Sequence, residues 1–140
     1  MRNKFHGNDF WLILVLLSAM PLWAHHSISA EFDTSRSFTV TGTLTKIEWV
    51  NPHAYVYLDS KDSKGVVTSY SFETGPPGNL RRSGIIRTMF SVGDAVTIDA
   101  YASKDGSKYL GLVKAYHFAD GHTIVIGKNP QEVEKANKPE

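Results

Sequence analysis

Alternation of apolar and polar residues, rather than a helical period, runs through most of this chain. It is cleanest at 54–59 (AYVYLD), where Val56 and Leu58 take one face of an extended segment and Tyr55 and Tyr57 the other. Residues 38–50 predict a longer strand with a fault in it. Val40, Gly42 and Leu44 share one parity, whereas Ile47 and Trp49 fall on the opposite one. A period of two that changes phase midway predicts a bulge or strong bend, and Gly42 would let the chain curve. Asn51-Pro52 then turns the chain. A polar loop at 61–65 leads into a third strand at 66–73, with Val66, Thr68, Tyr70 and Phe72 in phase.

Gly75-Pro76-Pro77-Gly78-Asn79 breaks the alternation, and 80–84 predicts a helical turn or two, followed by an irregular stretch at 85–90. Val92-Gly93-Asp94 turns into a fourth strand at 95–102. Asp105-Gly106 and Asp120-Gly121 are hairpin signals; a strand at 109–118 runs between them, and 123–126 closes the sheet. The order predicts an all-β domain, mainly β with one short helix. It matches a small five-stranded OB-like barrel, in which a bent first strand serves both halves and a helix sits between strands three and four. A small antiparallel sandwich or an open roll satisfies the same pattern.

Both ends depart from that pattern. Residues 1–24 have the layout of a signal peptide: Arg2 and Lys4, the apolar run FWLILVLL at 10–17, and Leu22-Trp23-Ala24 as cleavage site. From 10 to 24 there are 15 residues with Pro21 among them, against the roughly 20 apolar residues that a spanning helix needs. The reading is therefore a cleaved leader, with no stable membrane anchor afterwards and a periplasmic or secreted product. Residues 25–126 then form a single domain. Residues 127–140 are polar and charged and predict a flexible tail.

Without Arg2, Lys4 and Asp9, thirteen basic residues face thirteen acidic ones. A balanced charge argues against nucleic acid and against an anionic membrane surface, both of which select for basic excess. There is no cysteine, which excludes thiolate metal sites, thiol catalysis and disulfides. Nor does a serine sit in a nucleophile elbow, and no phosphate loop is present.

What cleavage exposes is chemically distinctive. The chain would begin His25-His26-Ser27, and a first-position histidine offers a metal its α-amine and its ring nitrogen from one residue. The amine has a reference pKa near 8, so a competing metal displaces its proton at modest cost. Amine and imidazole of His25 with one distant imidazole would make a three-nitrogen histidine brace. His53, presented by the Trp49-Val50-Asn51-Pro52 turn, is the first choice for that partner, and His26 is the reserve ligand. The plainer reading is that Asn51 and His53 only hydrogen-bond their turn. A copper ion is favoured, because Cu(II) tops the divalent affinity series and accepts tetragonal nitrogen coordination; zinc is the alternative. Glu31 and Asp33 are candidate oxygen ligands or outer partners. His117 reads as a packed, hydrogen-bonded strand histidine, His122 as a solvated loop residue, and Arg81, Arg82 and Arg87 as a solvated face.

The His25–Asp33 block, Trp49-Val50-Asn51-Pro52-His53, Gly42, the 75–82 segment and Val92-Gly93-Asp94 together resemble a family of small exported bacterial proteins classed as a domain of unknown function. The likeness spans about 25–126. It implies export and a small β-rich domain, and it supplies no activity. Pro76-Pro77-Gly78 departs from it as a stiffer approach to the helix. The leading expectation is a periplasmic metal carrier or sensor rather than an enzyme, since nothing marks a substrate cleft. The alternative is a non-catalytic OB-like module that binds an envelope protein, peptide or glycan through Tyr55 and Tyr57. A copper redox enzyme comes third.

Overall fold

The computed structural model describes residues 28–127. In chain order these form a single helical turn (Ile28–Glu31), β1 (Phe32–Glu48), β2 (Tyr55–Lys61), β3 (Val67–Glu73), helix α1 (Pro77–Arg82), a 3-10 turn (Arg87–Met89), β4 (Ala95–Ser103), β5 (Leu110–Phe118) and β6 (Thr123–Val125). The fold is mainly β with one short helix between β3 and β4, as the alternation predicts. The expected leader, His25, His26 and the tail from 128 lie outside the described residues.

The six strands form one sheet in the order β3-β2-β1-β4-β5-β6. A short parallel ladder between β3 and β5, from Ser71–Leu110 to Glu73–Leu112, closes five of them into a hydrogen-bonded ring. The remaining pairings are antiparallel. That closing ladder separates the ring from the sandwich and the open roll, which alternation alone leaves standing. β1 makes closure possible because it serves two neighbours: Phe32 to Thr43 pair with β4, and Thr43 to Glu48 pair with β2.

The phase change in β1 is a real bulge. Leu44 faces Leu58 and Lys46 faces Tyr57, so Thr45 is the extra residue. It returns Ile47 to the core side, where that side chain packs on the main cluster. Gly42 sits where β2 passes closest. A Cβ there would lie 2.3 Å from the Asp59 carbonyl oxygen and 2.8 Å from its carbon.

A second irregularity lies nearer the start of β1. Asp33 pairs with Ala102, but the next pair is Ser37 with Tyr101, leaving Thr34, Ser35 and Arg36 bulged out. The Asp33 carboxylate gathers this bulge by accepting from the Ser35 amide at 3.0 Å and its hydroxyl at 2.6 Å. The strand therefore begins six residues earlier than the pattern alone predicts.

Inside the ring, Val40, Leu44, Val56, Leu58, Phe72, Ile98 and Tyr116 form a continuous buried core. The helix plugs one flank of it. Pro77 opens α1 with its φ already suited to a helix. The chain leaves through Gly84 at φ +80°, where the Gly84 and Ile85 amides bond back to Arg81 and Leu80. Leu80, Ile85 and Phe90 are buried by this arrangement. Val66 does not join the inward face of β3 as expected. It precedes the strand and is exposed, because the Asp62 carboxylate captures its amide and that of Lys64 in the hairpin turn. Phe32 and Leu112 are also buried, yet stand apart from the main cluster.

Candidate functional site

His53 follows the Asn51-Pro52 turn, one residue before the chain locks into the sheet. Ala54 fixes that point: its amide bonds Gly75 and its carbonyl accepts from Thr74. Alternation then sends Val56 and Leu58 inward, both fully buried, and leaves Tyr55 and Tyr57 on the outer face. Tyr55 stands directly opposite Glu73 in the β2–β3 ladder.

Glu73 holds the site together. Its carboxylate is almost wholly buried, with side-chain exposure of 6%. One oxygen takes His53 Nδ1 at 2.5 Å, and the other accepts the Tyr55 hydroxyl at 2.8 Å. A buried carboxylate needs such partners, since an unpaired one is costly to desolvate. The consequence for His53 is a fixed ring, anchored through Nδ1, with Nε2 free of hydrogen bonds among the described residues and the side chain 27% exposed. Burial first, then the hydrogen bond donated to Glu73, push the Tyr55 phenol above its ordinary range. The charge of Glu31 reaches the same phenol through space. The helical turn that follows 25–27 is therefore within electrostatic reach of Tyr55.

Tyr57 has a parallel arrangement. Its hydroxyl donates to Glu48 at 2.6 Å, and Lys46 lies both against Glu48 at 2.5 Å and over the Tyr57 ring at 5.0 Å. Both outward tyrosine hydroxyls of β2 are thus engaged with carboxylates.

The other expected residues have structural surroundings. His117 bonds Asp99 through Nε2 at 2.9 Å and Thr123 through Nδ1 at 3.1 Å, and Asp99 also accepts from Thr39 at 2.6 Å. This chain ties β1, β4, β5 and β6 together across the outer face. It meets the hydrogen-bonding half of the expectation for His117, but the side chain is 43% exposed rather than packed. The β4–β5 register shift at Asp99/Ala100 lets Tyr116 and Phe118 turn inward instead. His122 stacks on Phe118 at 4.1 Å and pairs with Asp120. Arg81, Arg82 and Arg87 are exposed; Arg82 bonds Asn79, and Arg87 bonds the Phe90 carbonyl. Among the described residues no three metal-capable side chains converge.

The Asp99 chain carries a pH dependence. The Thr39 hydrogen bond, then that of His117, hold its carboxyl below the usual carboxylate range. A depressed folded value means that the contribution is complete above the ordinary value near 4 and drains away as pH falls through the lowered one. Asp99→Asn should cost up to about 1 kcal/mol at neutral pH, a figure discounted for solvent screening. The deficit should shrink as pH falls below about 4. Urea midpoints across pH check this; a pH-independent deficit would contradict it.

Glu73 escapes a reading of the sequence because it looks like one more solvated strand carboxylate. The signal lies in the hairpin register: Lys61 pairs with Val67, so counting back along β2 and forward along β3 sets Tyr55 against Glu73. Comparison with known proteins yields no match among curated proteins and none among solved structures. A family model does match, over residues 13–115. That span covers most of the chain and includes His25, His53 and Glu73. The protein accordingly belongs to DUF6152, a family of unknown function.

Proposed function

We propose that the protein is an exported metal-binding module, a carrier or sensor rather than an enzyme, that takes copper between its processed N-terminus and His53. The carrying observation is the buried Glu73 carboxylate on His53 Nδ1. Metal-binding histidines characteristically donate their other ring N–H to a carboxylate, which fixes the tautomer and aims the free nitrogen. Here that nitrogen is Nε2. The second support is reach. Residue 25 is three residues ahead of the helical turn, roughly 10 Å of extended chain, and that turn ends in Glu31, which acts on Tyr55. The α-amine and ring of His25 with Nε2 of His53 would give three nitrogens, His26 being the substitute ligand. Zinc fits the same donors less selectively.

Titration of Cu(II) against a competing chelator tests this on protein that begins at His25. His53→Ala should lower affinity by roughly a hundredfold, more than the loss of an outer partner. Glu73→Gln, which keeps the volume but weakens the hold on Nδ1, should lower it by about tenfold. Unchanged affinity in His53→Ala overturns the assignment.

A further inference from the structure

A separate groove opens along the first half of β1, using none of the residues of the proposed metal site. It has a volume of about 350 Å³ and is lined by Arg36, Phe38, Val40, Tyr70, Ser107 and Lys108, among others. Phe38 and Tyr70 both lie against the buried Phe72 ring, at 6.1 Å each, and Tyr109 stands edge-on to Tyr70 with 56% of its surface exposed. The groove is therefore aromatic on its floor.

Its walls carry two further features. Between Ser37 and Thr41, β1 pairs with β4 on one edge, while the β1–β2 ladder starts only at Thr43. Among the described residues the other edge of this segment has no strand partner. β3 is similarly one-sided from Val67 to Tyr70, since β5 joins it only at Ser71. An unpaired edge presents backbone donors and acceptors at the strand repeat, a template for an added strand. Arg36 and Lys108 are exposed, and neither forms an ion pair among the described residues. The nearby carboxylates accept from serine, Asp33 from Ser35 and Asp105 from the Ser103 hydroxyl and the Ser107 amide, and Arg36 acts on Asp33 through space.

We propose that this groove binds an extended acidic peptide segment. The segment adds as a strand along residues 37–41 of β1, sets an apolar side chain on Phe38 and Tyr70, and places its carboxylates against Arg36 and Lys108. The free backbone edge favours a peptide over an acidic glycan, which cannot match a strand's donor–acceptor repeat. The exposed charges of Arg36 and Lys108 favour an acidic peptide over a second copy of this chain, whose own β1 edge carries Arg36.

NMR titration of the isotope-labelled protein with the blocked peptide acetyl-Asp-Val-Phe-Val-Asp-amide tests this. Amide shifts should concentrate at residues 37–41 and at Lys108. Arg36→Glu with Lys108→Glu, both on exposed positions and checked for folding by circular dichroism, should weaken binding roughly tenfold. A backbone N-methylated peptide, unable to donate to the edge, should weaken it by a similar factor. No binding, equal binding in the double variant, or equal binding of the N-methylated peptide overturns the proposal. So does capture of an oligogalacturonate without the peptide, or a concentration-dependent dimer that shields the same amides. Loss of copper binding leaves all of these readouts unaffected, so the two proposals fail separately.

Discussion

Gly42→Ala is expected to lower the free energy of unfolding by about 2–4 kcal/mol, a large share of what a small domain has. The reason is steric. The added methyl would sit 2.3 Å from the Asp59 carbonyl oxygen, with Leu58 Cγ at 3.1 Å behind it. Backbone on both sides is fixed by ladders, from Thr43–Asp59 onward in one direction and Gly42–Val96 in the other, so neither strand yields without losing pairs. Gly78→Ala is the matched control. Its methyl meets nothing closer than Arg82 at 3.8 Å and lies in α1, where alanine is favoured over glycine by up to about 1 kcal/mol. Urea denaturation of both variants decides it: a marked loss in Gly42→Ala beside neutrality or a gain in Gly78→Ala. Equal midpoints would mean that β1 and β2 do not approach so closely.

Much of this fold is legible in the sequence because its strands are half-buried, so the period of two is enforced by packing. The parity switch between Leu44 and Ile47 locates the Thr45 bulge to within a residue. The Asp-Gly pairs mark both late turns, with Gly106 and Gly121 at φ +85° and +91°. Less legible is whatever alternation does not encode. Residues 33–37 are polar and carry no period, yet extend β1 back to Phe32, because pairing with β4 and the Asp33–Ser35 turn hold them. The swing of Tyr116 rather than His117 to the interior depends on a register shift that one strand's sequence does not contain. Ring closure depends on three parallel pairs between β3 and β5, which local patterning does not announce.

The candidate site divides in the same way. His53 stands out in the sequence as a ring presented by a proline turn. Its anchor does not, because the importance of Glu73 lies in burial and in a cross-strand partner 18 residues away in sequence. Tyr55 and Tyr57 read as an aromatic surface, whereas their hydroxyls serve Glu73 and Glu48. The aromatic groove that the fold does offer draws on Phe38 of β1 and Tyr70 of β3, distant in sequence and both set against Phe72.

The largest effect on the proposed metal binding should come from the α-amine that cleavage behind Ala24 would give His25. A free α-amine on His25 is one of three proposed nitrogens, and it exists only after cleavage behind Ala24. The control must be chosen with care. Adding one residue puts His26 third from the end and adding two puts His25 there, and a third-position histidine is itself a strong copper motif. Retaining Leu22-Trp23-Ala24 ahead of His25 avoids both, because the histidines then fall fourth and fifth. Cu(II) affinity should therefore be measured on two proteins verified by intact mass, one beginning at His25 and one at Leu22. The account predicts binding weaker by roughly a hundredfold or more in the longer chain, about 2.7 kcal/mol; equal affinity in the two would contradict it.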